Sequence, residues 1–156
     1  MNDHPDIIVS NPAESDLPLI LEIEFESQPE PWTKNSFAEE LARGSLFVAR
    51  TDASAPTRSL AIAGYICFWP VSDEIQILNL AVSPAMRRKG IARELLSFAI
   101  ATGRDRHAAT ASLEVRQSNL AARRLYESLG FRTVAERPGY YGTRSESAIL
   151  MELDIP

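Results

Sequence analysis

The sequence predicts one domain built on a single mixed α/β sheet, and three observations carry that prediction. The chain has 156 residues, 45% of them hydrophobic and 24% charged. These are ordinary values for a globular domain with one core, and they exclude disordered, collagenous and disulfide-scaffold classes. Two apolar strand patterns, residues 74–82 and 111–116, flank a helical pattern from Gly90 or Ile91 to about Arg106, which reads as a strand–helix–strand crossover. No internal repeat or boundary interrupts the chain, so residues 1–156 read as one domain with element order βααβββαβαββ.

Taken in order, Ile7-Ile8-Val9 starts as a strand, and Glu14-Ser15-Asp16-Leu17 opens a helix. Leu17, Ile20, Leu21 and Phe25 give that helix an apolar stripe, with Glu22, Glu24 and Glu26 on its acidic opposite face. Pro29-Glu30-Pro31-Trp32 breaks it, and a second short helix runs from Thr33 or Asn35 to about Arg43, closed by Gly44. Residues 46–49 and 60–68 read as strands joined by a mobile hairpin loop, residues 51–59, rich in Ala, Ser, Thr and Pro. The strand at 74–82 alternates and then runs apolar, as a strand does on entering a buried sheet centre, until Ser83-Pro84 ends it. Ile91, Leu95, Phe98 and Ala99 mark the buried face of the next helix. A last helix, 119–129, is expected to be capped by Ser118 and stopped by Gly130, before strands at 131–136 and 148–153.

Sixteen Lys and Arg against twenty-one Asp and Glu leave a net charge of −5, which argues against a general nucleic-acid binder. Local basic clusters can still hold a small anion. Cys67 is the one cysteine, so no intramolecular disulfide or cysteine-rich metal site can form, and it reads as a small buried hydrophobe. Residues 1–6 carry neither a basic nor an apolar targeting segment, and no apolar run approaches the roughly 18 residues that span a bilayer. A cytoplasmic protein is expected.

Chemistry is signalled at three places. Arg87-Arg88-Lys89-Gly90-Ile91-Ala92 joins a buried strand to a helix and gathers cations, free amides and a positive dipole end in one turn, an arrangement suited to pyrophosphate. It matches neither a Walker loop nor a dinucleotide fingerprint, and a solvated basic loop is the plain alternative. Glu114 lies mid-strand in Ser112-Leu113-Glu114-Val115-Arg116; burial there would raise its pKa and suit a general base, and an ion pair with Arg116 or Arg123 is the structural alternative. Asn119 and Tyr126 fall nearly on one helix face. A tyrosine can protonate a thiolate or alkoxide and an asparagine can bind an extended ligand, against the simpler readings of core aromatic and local cap.

Together, Asn79-Leu80-Ala81-Val82-Ser83-Pro84, the turn from Arg87 to Ala92, Leu113-Glu114-Val115-Arg116-Gln117-Ser118-Asn119 and Leu125-Tyr126-Glu127-Ser128-Leu129-Gly130-Phe131 resemble the GCN5-related N-acetyltransferases. Within that superfamily the chain is similar to the RimI-like branch, which acetylates the amino-terminal alanine of a ribosomal protein. The likeness extends from Glu24 and Pro31-Trp32-Thr33 to Tyr140-Tyr141 and Glu146-Ser147-Ala148. It implies a mostly antiparallel sheet, flanked by helices and splayed at a central parallel pair between the strand ending at Val82 and the strand carrying Glu114. Acetyl-CoA is the implied co-substrate, with its phosphates on Arg88, Lys89, Gly90, Ile91, Ala92 and Arg93, its pantetheine arm on the backbone of Leu80, Ala81 and Val82, and Asn119 in contact. That backbone segment would polarise the thioester carbonyl.

By the same carry-over Glu114 is the proton acceptor and Tyr126 the proton donor, while Glu24, Trp32, Tyr140 and Tyr141 wall a channel for a peptide amino terminus. The acceptor amine would attack the thioester directly, without Cys67 as a nucleophile and without a metal. The resemblance leaves two other readings open: a transferase for a small-molecule amine or a lysine, and a noncatalytic acyl-CoA sensor. Two departures stand out. Ala92 replaces a second glycine of the turn, and Ser147 replaces an aspartate on the acceptor side.

Overall fold

The computed structural model of the chain describes residues 6–51, 62–141 and 146–156. Seven strands form one mixed sheet in the order β1-β2-β3-β4-β5-β7-β6, and the chain packs as two compact units. The strands are β1 (Ile7–Ser10), β2 (Leu46–Thr51), β3 (Ile62–Val71), β4 (Glu74–Val82), β5 (Thr110–Arg116), β6 (Arg132–Tyr141) and β7 (Glu146–Asp154). The helices are α1 (Leu17–Ser27), α2 (Lys34–Arg43), α3 (Ile91–Asp105) and α4 (Leu120–Ser128), with short 3₁₀ turns at Glu14–Asp16 and Pro84–Met86. The predicted mixed α/β class and element order therefore stand. All of the 51–59 loop except Thr51 lies outside the described residues.

The first unit holds residues 1–68 and 79–98. Here β2 pairs antiparallel with both β1 and β3, from Ile7↔Thr51 and from Leu46↔Cys67. Residues 62–68 of β3 are buried without interruption, the pattern of a strand covered on both faces. Phe47, Phe68 and Phe98 pack together, with ring centroids 4.8–6.3 Å apart. The Thr33 hydroxyl caps α2 by accepting the Ser36 amide at 3.1 Å, and left-handed Gly44 (φ 77°) ends it. Such a cap contributes about 1 kcal/mol.

Helix α1 corrects the predicted stripe. Its buried residues are Leu17, Ile20, Ile23 and Glu24, whereas Phe25 is 78% exposed. At 3.6 residues per turn, Glu24 sits two turns beyond Leu17 on nearly the same face, so the expected acidic face loses Glu24 to the core and Phe25 turns outward.

The second unit holds residues 69–78 and 99–156. Within it β4 runs parallel to β5 from Glu74↔Thr110 to Ile77↔Leu113. Strand β7 lies between β5 and β6 and is antiparallel to both. The predicted cap of α4 also shifts by one residue. Asn119 is the N-cap, its side-chain oxygen accepting the Ala122 amide at 3.2 Å, while the Ser118 hydroxyl is engaged by Glu146.

Gly64 on β3 has a packing reason to be glycine. A Cβ there would lie 2.7 Å from the Ala81 carbonyl oxygen and 3.3 Å from both Val82 Cα and Ile91 Cγ2, so the β4 backbone and the start of α3 rest directly on it. Gly64→Ala is expected to destabilise the protein by about 1–3 kcal/mol, the usual cost of overpacking. Urea unfolding checks this, and an unchanged midpoint would show that Ala81 moves aside freely.

Candidate functional site

Elements of the first unit carry the predicted cofactor residues other than Asn119. Strand β4 ends in Leu80, Ala81 and Val82, and the Ser83 amide donates to the Ala63 carbonyl at 2.8 Å. The Leu80 amide donates to its neighbour's side chain, Asn79 Oδ1, at 2.9 Å. That amide is therefore already engaged.

After the 3₁₀ turn, Arg88 adopts φ 65° and Gly90 φ 79°. A left-handed conformation costs an ordinary residue about 1–2 kcal/mol, and glycine nothing comparable. Ser72 and His107 adopt the same left-handed conformation, at φ 57° and 60°. Arg88, Lys89, Gly90 and Arg93 are exposed, and Ile91 is buried as the anchor of α3. The Gly90 carbonyl accepts the Glu94 amide at 3.1 Å, which leaves the first-turn amides of α3 at the exposed cationic end. Arg87 ties the turn to its own unit, Nε donating to the Val82 carbonyl at 3.4 Å and Nη2 to Ser27 Oγ at 3.5 Å.

Glu24 is placed differently from expectation. It is fully buried and cannot wall a channel. Its Oε2 accepts the Trp32 amide at 2.8 Å, both oxygens lie 3.0 Å from Asn79 Nδ2, and Oε1 accepts the Tyr65 hydroxyl. Burial, then the neighbouring Glu24, pushes the Tyr65 phenol well above its ordinary pKa. Trp32 is half-buried, its ring 5.3 Å from that of Phe37, which in turn meets Tyr65 edge-on at 5.4 Å. Tyr140 and Tyr141 are the last residues of β6. Cys67 is buried beside Glu40 and Ser45, and burial, followed by Glu40, pushes its thiol up to about 12; it is unsuited to act as a thiolate nucleophile.

The second unit carries the predicted proton-transfer pair. Glu114 is exposed, not buried as expected. Arg137, on β6, reaches it at 3.3 Å across β7. Tyr126 is 8% exposed, packs edge-on against Phe131 at 5.9 Å, and burial pushes its phenol up to about 12; it therefore keeps its proton at neutral pH. Asn119 is exposed at the head of α4. Among the described residues no group of three or more His, Cys, Asp and Glu could hold a metal, and no helix is long and apolar enough to cross a membrane.

Residues 17–131 match the acetyltransferase (GNAT) family, and the chain belongs to that family. It is an N-acetyltransferase of the RimI-like kind. The [ribosomal protein bS18]-alanine N-acetyltransferase of Escherichia coli (strain K12) is 36% identical over 149 residues, covering 94% of this chain and 97% of that one. The Salmonella typhimurium enzyme of the same name is 37% identical over 143 residues, covering 90% and 93%. The crystal structure of the Escherichia coli ribosomal-protein-S18-alanine N-acetyltransferase superposes with a TM-score of 0.81 at 35% identity, covering 96% of this chain and 94% of that one. A structure of Arabidopsis thaliana NAA60 in complex with acetyl-CoA shares the fold at TM-score 0.83 and 22% identity, covering 96% and 99%.

Sequence reasoning missed Tyr65 and Arg137 and left Asn79 without a role. It also missed the support of the β5–α4 turn, where Glu146 accepts from the Ser118 hydroxyl and amide and from Arg116 at 3.3 Å. Those bonds, the Ser118 hydroxyl foremost, hold the Glu146 carboxyl below the usual range. A lowered folded pKa stabilises the fold above the unfolded value, about 4.3, and that contribution is lost as pH falls through the folded value. Glu146→Gln is accordingly expected to flatten the loss of stability below about pH 4.3. Denaturant midpoints measured across that range test it, and parallel acid limbs for variant and wild type would rule it out.

Proposed function

We propose that this enzyme transfers acetyl from acetyl-CoA to the α-amine of a protein, the amino-terminal alanine of a small-subunit ribosomal protein, in the cytoplasm. The observation that carries the reading is the relationship to alanine N-acetyltransferases over nearly the full length of both chains. The cationic turn ahead of α3 supports it as a seat for the cofactor's phosphates on Arg88, Lys89 and Arg93 and the amides of Gly90 to Arg93. Asn119 contacts the cofactor in this reading, and Ala81 or Val82 offers the amide that polarises the thioester.

On this proposal Glu114 takes a proton from the acceptor ammonium, directly or through water. The amine attacks the thioester carbon, the C–S bond breaks, Tyr126 protonates the departing CoA thiolate, and the proton shed by the acylated nitrogen passes through solvent to restore the Tyr126 phenol. An α-ammonium has a pKa of about 7.7–8.0 and a lysine ammonium about 10.4. An exposed carboxylate in ordinary surroundings suits the easier of those two deprotonations, which favours the α-amine. Trp32, Tyr140 and Tyr141 remain the proposed aromatic wall for the peptide, without Glu24.

Mass spectrometry of a peptide with a free amino-terminal alanine, basic following residues and an internal lysine tests the acceptor. Acetyl on the α-amine is expected, and acetyl on lysine would overturn the assignment. Glu114→Gln is expected to lower kcat by about 10²–10⁴-fold, the usual span for a general base, with acetyl-CoA affinity unchanged. Lost affinity with intact turnover would reduce Glu114 to the partner of Arg137. Tyr126→Phe should slow transfer while the domain stays folded, and an unaffected rate would make the ring a core aromatic. Arg88→Ala should raise the KM for acetyl-CoA, and an unchanged KM would remove Arg88 from the phosphate seat.

A further inference from the structure

We propose that Asn79 and Glu24 are positioning residues that couple acetyl-CoA on the β4 backbone to the loop carrying Trp32. The inference rests on the reading that acetyl-CoA lies along Leu80, Ala81 and Val82. Its basis is one continuous hydrogen-bonded path inside the first unit. The Leu80 amide donates to Asn79 Oδ1 at 2.9 Å, Asn79 Nδ2 donates to both Glu24 oxygens at 3.0 Å, and Glu24 Oε2 accepts the Trp32 amide at 2.8 Å. Glu24 is 0% exposed and Asn79 8% exposed, so water does not replace a partner that lets go. Movement at either end must then be taken up by the other.

Two more contacts tighten the path at the end of α1. Gln28 Nε2 donates to Asn79 Oδ1 at 3.1 Å, and Arg87, one residue before the proposed phosphate seat, reaches Ser27 Oγ at 3.5 Å. The strand and the turn proposed to hold the cofactor thus both grip the helix end from which the Trp32 loop departs. A side chain that merely filled the core at position 79 would need none of this. Asparagine is the residue that accepts from its own strand on one atom and donates to a carboxylate with the other.

Tyr65 serves as the internal control: its hydroxyl bonds both Glu24 and Asn79 but is not itself a link between Leu80 and Trp32. The chain has two tryptophans, Trp32 and Trp69, so Trp69→Phe leaves Trp32 as the sole reporter. In that background, the Trp32 emission maximum and calorimetry are followed as acetyl-CoA is added. The expected result is a shift in the maximum that saturates with binding, survives Tyr65→Phe, and is lost in Asn79→Ser while acetyl-CoA still binds within about tenfold, or about 1.4 kcal/mol. Glu24→Gln is the second variant and should likewise lose the shift, so the test stands if Asn79→Ser does not fold. A shift that persists in both variants, or none in the parent despite calorimetric binding, overturns the coupling. Flat calorimetry in the parent would instead remove the acetyl-CoA reading on which it rests.

Discussion

The first unit is organised around the buried carboxylate of Glu24. Glu24 sits on the apolar stripe of α1, where a leucine would cost nothing to bury, and taking a carboxylate out of water costs several kcal/mol unless its oxygens are satisfied. Three donors from three segments satisfy it: the Trp32 amide from the loop after α1, the Tyr65 hydroxyl from β3 and the Asn79 amide group from β4. Removing any one leaves a carboxylate lone pair unpaired in a dry core, with the remaining donors still in place. The position of the loop, the entry of β4 and the exit of α1 are therefore one problem with one solution. Gly64 completes it from below by letting the Ala81 carbonyl approach β3 where any Cβ would intrude.

The second unit solves a different problem, that of holding β7 between two antiparallel neighbours while presenting charged groups to water. Its register runs from Thr110↔Asp154 to Arg116↔Ala148 on one side and from Arg132↔Glu152 on the other. Glu114, opposite Leu150, and Arg137, opposite Ala148, lie on the same side of the sheet and meet at 3.3 Å. Glu146 starts β7 by gripping Ser118, which holds the turn before α4 and leaves Asn119 to cap the helix. Buried Tyr126 follows two turns later.

Much of this was legible in the sequence because periodicity and turn chemistry are local. The crossover from β4 through α3 to β5, the glycine after α2 and the cationic turn all appear where hydrophobic spacing and capping rules put them. What was not legible is long-range. Glu24 looked like part of an acidic face because Glu22 and Glu26 flank it, and only the donors at positions 32, 65 and 79 make its burial possible. Glu114 looked buried because it is in a strand next to the crossover, but a strand exposes alternate residues, and the one that pairs with it is 23 positions on in the chain, an adjacency that only the β5-β7-β6 order creates. Asn119 and Ser118 exchanged capping roles for the same reason, since the claim on Ser118 comes from Glu146.

Exposure of Glu114 strengthens, rather than weakens, the proposed preference for an α-amine. A buried base would have a raised pKa and enough basicity to compete for a lysine proton, at the cost of being protonated part of the time at neutral pH. Glu114 is exposed, and an α-ammonium is the acceptor that loses its proton near neutrality by itself. Its ion pair with Arg137 is no obstacle, because pairs exposed to this degree contribute about 0–1 kcal/mol and exchange with solvent at little cost. The burden of the reaction then moves from base strength to placement of the amine. On the proposal above, placement is the task of the Trp32 loop, and the buried Glu24 holds that loop by accepting the Trp32 amide.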